Sequence, residues 1–274
     1  MIGTEVLDKI LISALYTAYI ADEKPLSLMV TAKVESGKTE LMSRFKDNDK
    51  IKFLTDATAF SIWRDLSGEI EAGEVKHMMF PDLLTPLAKG QDTVNSFIMF
   101  LTNLCEEGLS EVHSGFLQEG GLKLSAPTPV GIIGGIPQDE LQDQRHKWAR
   151  AGFMSRMLPM SWSYSQRIID EIKKSITERQ YVHDLPVKLV FPTPTRVALP
   201  LPIAQEILQM ESVMRATMAA KANYTYGFRL LKQLQRLIMG YALSQGRDYV
   251  TWSDLLVLKG EMFQYLNLEY RELP

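Results

Sequence analysis

Apolar residues recur at helical spacing from Thr4 to Ala21 (Val6, Ile10, Leu11, Ala14, Leu15, Ala18), and the run stops before Asp22-Glu23-Lys24-Pro25. That pattern predicts an N-terminal helix. The period then changes. Leu26 to Thr31 is a short unbroken apolar run closed by a polar, glycine-containing segment, the pattern of a strand buried on both faces. Beyond it the spacing predicts a helix from about Lys38 to Phe45, a strand from Ile51 to Leu54 and a helix from Ala57 to Leu66. A strand from Glu74 to Phe80 and a long helix from Asp92 to Glu107 follow, then strands at Val130 to Ile133 and Leu158 to Ser163. Strands separated by helices need crossover connections, so the alternation predicts an α/β fold with a largely parallel sheet.

From about Gln166 the character shifts. The segment Leu185 to Pro202 (LPVKLVFPTPTRVALPLP) is studded with proline and cannot be a continuous helix. Three helix-like stretches follow it: Ile203 to Lys221, Tyr226 to Gln245 and Thr251 to Leu268. The expected organisation is an α/β domain over 1–185, an extended connector over 186–202, and a small all-α domain over 203–274. Thr251 and Asp254 have the spacing of a capping box.

Composition narrows the class. With 274 residues, 46% hydrophobic and 23% charged, the chain can bury a sizeable core, which excludes a disordered tail, a collagen-like fibre and a disulfide-stapled mini-domain. A single cysteine, Cys105, makes no internal disulfide and no zinc set, so a reducing cytoplasm is the expected compartment. No apolar run approaches the ~18 residues of a membrane span, and Ile10 to Ile20 lacks the flanks of a signal peptide. The net charge of −3 argues against coating nucleic acid nonspecifically. It hides an asymmetry. Residues 1–142 carry 12 Lys/Arg against 21 Asp/Glu (net −9), and residues 143–274 carry 18 against 12 (net +6). Opposite faces of one subunit could therefore meet head to tail.

The most specific local signal follows the first buried strand: Ala32-Lys33-Val34-Glu35-Ser36-Gly37-Lys38-Thr39. It fits G-x-x-x-x-G-K-[ST] apart from Ala32, which replaces the first glycine. In this pattern backbone N–H groups curl around phosphate oxygens, Lys38 reaches the outer phosphates and the Thr39 hydroxyl holds magnesium. Residues 32–40, through Glu40, are thus the expected nucleotide-binding segment, with ATP and Mg2+ as its cofactors. The Glu35 carboxylate must point outward or pair with Lys33, since aimed inward it would repel phosphate. The competing reading is an ordinary strand–turn–helix corner capped by Ser36. A second apolar run, 75–80, ends in Pro81-Asp82, and Asp82 is expected to assist magnesium through water; the competing role is capping the segment that follows. Leu83 stands where many such ATPases carry the glutamate that polarises the attacking water. Asp56, just past the strand 51–54, is the candidate general base, at a place comparable to the catalytic glutamate of RecA-like ATPases; its competing role is capping the helix from Ala57.

Two further stretches are specific. Gly152-Phe153-Met154-Ser155-Arg156-Met157-Leu158-Pro159 and the run from Tyr226 through Arg229, Arg236 and Val250-Thr251 to Asp254 resemble the AAA+ family. Within it they are closest to the branch of minichromosome maintenance helicases and magnesium-chelatase-like ATPases. The resemblance implies a P-loop ATPase sheet with an all-α lid. It makes Arg156 an arginine finger reaching the neighbouring subunit's nucleotide, with Arg150 as the alternative, and makes Arg229 a sensor-2 arginine acting with Lys38, Thr39 and Asp82 of its own subunit. It further implies a homo-oligomeric or mixed ring or spiral acting on DNA as a helicase-like motor or replication accessory. The chain departs from the family at Ile136, where a polar residue would orient water, and Gln138 is a partial substitute. With Leu83, that departure favours an alternative: an ATP-binding switch or scaffold that hydrolyses slowly and acts on a protein partner. A third reading keeps only the fold, as a DNA-binding or assembly protein. The segment 108–129 matches a pore hairpin, in which His113 and Lys123 would face DNA, or else a solvated surface hairpin.

Overall fold

A computed structural model describes residues 3–112, 122–180, 185–222, 228–268 and 272–273. The chain opens with α1 (Glu5–Tyr16) and enters β1 (Ser27–Ala32), α2 (Lys38–Ser43), β2 (Ile51–Phe53), α3 (Ala59–Glu71) and β3 (His77–Phe80). Then come α4 (Leu84–Leu87), α5 (Gln91–Glu106) and two strands, β4 (Leu109–Val112) and β5 (Leu122–Thr128), paired antiparallel on their own. The run continues through β6 (Gly131–Pro137), α6 (Gln138–Arg150), β7 (Met157–Tyr164) and α7 (Gln166–Thr177). After the proline-rich stretch lie α8 (Leu201–Ala222), α9 (Phe228–Ser244), α10 (Trp252–Val257) and a last short strand, β8 (Glu272–Leu273).

Six strands form one sheet in the order β2-β3-β6-β1-β7-β8, and every neighbouring pair is parallel. The α/β expectation with a parallel sheet is met. All six residues of β1 are buried, which is why it reads as an unbroken apolar run. Leu28, Val30 and Ala32 join the hydrophobic cluster on one face, with α1, α9 and α10; Met29 joins the other, with α3, α5 and Trp148 of α6. The alternation is the period-2 geometry of a strand with helices on both sides.

Parallel pairing puts all strand starts at one edge of the sheet and all strand ends at the other. Ser27 pairs with Met157 at the starting edge, and Ala32 pairs with Pro137 and Trp162 at the finishing edge. Five steps along β1 separate the edges by about 17 Å at the rise of a strand.

The helices after the connector share one hydrophobic cluster with α1 and the sheet, so they are joined to the α/β layer through a common core. The connector is extended, as its prolines require. Val187 N–H donates to the Arg44 carbonyl at 2.8 Å, Tyr16 Oη–H donates to the Val190 carbonyl at 2.8 Å, and Phe191 stacks on Tyr19 at 4.6 Å. Two expectations about helix ends are revised. The helix after β2 is capped by Thr58, in a reciprocal box with Ser61, and not by Asp56. The stretch predicted as one helix to Leu268 is α-helical only to Val257, then passes through a π turn over Leu258–Met262 and a 3-10 turn. The Thr251–Asp254 box is present as read, with both reciprocal bonds formed. Among the described residues no helix is long and apolar enough to cross a membrane.

His77, at the start of β3, is fully buried, and its Nε2–H donates to the Leu26 carbonyl at 3.2 Å. Burial, partly offset by that hydrogen bond, pushes its pKa down to about 4. The unfolded chain takes up this proton near pH 6.5 and the folded chain only near 4. The resulting stability is complete above pH 6.5 and lost as pH falls through that window, by up to about 3 kcal/mol. Urea midpoints at pH 7.5 and 4.5 should therefore differ more in the parent than in His77→Gln, which keeps an N–H donor. Equal differences in both proteins would contradict this account.

Candidate functional site

At the finishing edge, the chain leaves β1 through residues 33–37 and enters α2 at Lys38. Ligands of open α/β sheets bind outside this edge. Ala32 lies inside the strand, where its Cβ needs no special backbone. The left-handed positions fall later: Glu35 has φ 64° and Gly37 φ 71°. Alternating hands of this kind turn successive N–H groups into a concavity that suits anions. Glu35 is exposed, one of the two outcomes its charge allowed. Ser36 does not cap α2; its Oγ–H donates back to the Lys33 carbonyl at 2.6 Å and closes the loop. Burial lowers the pKa of the Lys38 ammonium, and the neighbouring Asp82 carboxylate opposes that shift. Lys38 follows β1 and Asp82 follows β3, so both stand at this finishing edge.

Asp82 reaches it from β3, two strands away from β1. Its Oδ1 accepts the Leu84 N–H at 2.9 Å, an Asx turn that engages one carboxylate oxygen; the N-cap of α4 is Leu83, so Asp82 is not the helix cap that was the competing reading. The turn carrying Asp82 lies close against β6. Leu83 N–H donates to the Gly135 carbonyl at 2.8 Å, and a Cβ on Gly135 would stand 2.4 Å from the Pro81 carbonyl oxygen. Only glycine admits that approach. Leu83 is fully buried, its Cδ1 against the Cα side of Gly134. The position after Asp82 therefore points into the core, and a glutamate there would be a buried charge. Leu83→Glu is expected to destabilise the fold by several kcal/mol, in the range of an unpaired buried carboxylate, and not to raise turnover. A thermal melt matching the parent's would refute this placement.

Asp56 stands at the edge strand, three strands from β1, and its carboxylate is 2.7 Å from Lys89 Nζ. Ile136 is fully buried in the second cluster. Gln138 follows β6 directly, beside the end of β1; its Nε2–H donates to the Leu268 carbonyl at 3.3 Å and its Oε1 is buried without a partner. Thr39 is exposed at the start of α2. Among the described residues no cluster of three or more His, Cys, Asp or Glu could hold a metal unaided. A magnesium ion held at this edge would need Thr39, the second oxygen of Asp82 through water, and phosphate oxygens as its donors.

The arginines lie elsewhere. Arg156 immediately precedes β7, whose first residue pairs with Ser27, so it sits at the starting edge. Its Nη1–H donates to the Gly152 carbonyl at 2.9 Å, and its Nε is buried without a partner. Arg229, near the start of α9, lines the same concavity, with Glu106, Lys232, Gln233 and Arg236. Arg229 was expected beside Lys38 of its own subunit; the structure groups it with Arg156, about a strand's length away. Arg150 is exposed at the end of α6 and does not line the concavity. Gln233 is buried, with Nε2–H donating to the Ser155 carbonyl at 3.4 Å. Arg236 is paired with Glu23 at 2.8 Å. Cys105 lines the same place, its thiol pKa pushed up to about 12 by burial. Lys232, Gln233 and Glu106 are polar members that sequence reasoning missed. The signal for Lys232 was its i+3 spacing from Arg229, which puts both on one helical face; Glu106 had no local signal.

His113 lies outside the described residues. Lys123 belongs to β5, which pairs with β4 as a hairpin, and the orientation of its side chain is not described. No protein-family model matches this chain and no curated protein matches it.

Proposed function

We propose that the chain is a nucleoside-triphosphate-binding subunit of the AAA+ kind, which associates head to tail so that ATP and magnesium lie between neighbours. One observation carries this reading: Lys38 and Asp82 share one edge of the sheet, whereas Arg156 and Arg229 share the other. Across about 17 Å of β1, a phosphate cradled by the loop is beyond the arginines of its own subunit. In this reading they serve a neighbour's. The loop N–H groups and Lys38 would hold the outer phosphates, with Thr39 and Asp82 on the magnesium side. The guanidinium forks of Arg156 and Arg229 would neutralise charge on the terminal phosphoryl group. A contact between two different faces repeats from subunit to subunit, closing as a ring or continuing as a spiral.

Hydrolysis in such a subunit is proposed to be slow. Leu83 and Ile136 are buried, and Asp56 is engaged by Lys89. These observations support the switch that acts on a protein partner over the DNA-driven motor. The motor reading rests on the arginine pair, which is the equipment of transition-state stabilisation.

Light-scattering mass with and without magnesium–ATP tests the proposal. The expected result is growth from the 31.1 kDa monomer to a multimer only when the triphosphate is present. A monomer that binds ATP yet never associates would overturn it.

A further inference from the structure

We infer that Glu106 is a built-in competitor for Arg229, and that it restrains the association of subunits driven by a nucleoside triphosphate. The inference rests on the inter-subunit site proposed above.

Glu106 ends α5. A carboxylate in the last turn opposes the helix dipole, so its placement is compensated by the cations in front of it. Oε1 accepts from Lys24 Nζ at 3.2 Å, and Oε2 is 3.7 Å from Arg229 Nε. On α9, Arg229, Lys232 and Arg236 fall at i, i+3 and i+7, one face of the helix. Their states differ. Arg236 is closely paired with Glu23 and only 12% exposed. Arg229 is 46% exposed, and its contact with Glu106 is beyond hydrogen-bond range. Lys232 is exposed and has no ion pair among the described residues.

The concavity and its rim thus hold five cations (Lys24, Arg156, Arg229, Lys232, Arg236) and two acids (Glu23, Glu106), a net charge of +3. Glu23 is committed to Arg236. Glu106 is the acid an arriving anion must displace, because it holds the one arginine that is both loosely paired and open to solvent. A terminal phosphoryl group, doubly charged with three acceptor oxygens, competes well for a guanidinium fork. A diphosphate presents its terminal charge one phosphoryl unit further back, and against it Glu106 keeps Arg229. The loose pair is easily broken, as befits a bias and not a permanent clamp.

The quantity to measure is the ratio of protein concentrations at half-association with magnesium–ADP and with magnesium–ATP. In Glu106→Gln, association with magnesium–ATP should strengthen and this ratio should widen by about three- to fivefold, the factor to which an exposed ion pair converts. Glu106→Asp, which keeps the charge, should stay close to the parent. Lys24→Met leaves Glu106 wholly to Arg229 and should narrow the ratio, which tests the same geometry if the glutamine variant does not fold. A parent that associates with ATP, alongside unchanged ratios in Glu106→Gln and Lys24→Met, would overturn the competitor and leave the inter-subunit site standing. If the parent associates with neither nucleotide, the inter-subunit site falls and the competitor falls with it.

Discussion

Lys38→Ala is expected to weaken magnesium–ATP binding by about 10- to 100-fold, the worth of one charged hydrogen bond to phosphate, while the empty protein melts no lower than the parent. Both halves follow from one placement. Burial lowers the Lys38 pKa and Asp82 only partly restores it, so the folded protein bears the cost of holding an under-solvated ammonium. A phosphate would complete that ammonium's environment. Removing the charge relieves the empty fold and disables the bound one. Calorimetric titration and a thermal melt check the two halves separately. Unchanged ATP affinity would remove Lys38 from any phosphate site.

Arg156→Ala is expected to behave in the opposite way. Lys38, Asp82 and the loop are a strand's length away, so ATP should bind each subunit nearly as before. Nucleotide-driven association should fail, and whatever hydrolysis the assembly performs should fall by on the order of 10³-fold, the usual scale for an arginine supplied in trans. The side chain is tied to its own chain through one bond to the Gly152 carbonyl, and a buried Nε is left unmatched. Its loss should therefore cost less in folding than in assembly. Turnover and association equal to the parent's would shift the role to Arg150, six residues earlier and exposed.

What the sequence disclosed about these sites follows how local each one is. The strand–turn–helix corner was legible because strand, turn and Gly37-Lys38-Thr39 lie within about a dozen residues. Ala32 looked like a defect only until it proved to belong to the strand, with the left-handed turn displaced to Glu35 and Gly37. The strand end before Asp82 was legible because an apolar run stopped at Pro81-Asp82. Asp56 was misjudged as a cap because Thr58, two residues on, has the better partner in Ser61. Helix α6 gave almost no apolar period, since it buries only Leu141 and Trp148, seven residues apart; α7 carries Ile168, Ile169, Ile172 and Ile176 at helical spacing, a signal that was there to be read. The grouping of Arg229 with Arg156 was not legible at all. Which edge of the sheet α9 lies along is decided by its packing against α1, more than 200 residues earlier in the chain.

The most direct test of the inter-subunit site is to mix two defective proteins. Lys38→Ala lacks the phosphate lysine but keeps Arg156, and Arg156→Ala lacks the arginine but keeps the loop. Each alone should remain monomeric in magnesium–ATP by light scattering. Mixed, an Arg156→Ala subunit offers its loaded loop to the Arg156 of a Lys38→Ala neighbour, and the mass should rise to that of a pair containing both proteins. A mixture whose mass stays at 31.1 kDa, beside a parent that assembles under the same conditions, would contradict a site shared between subunits.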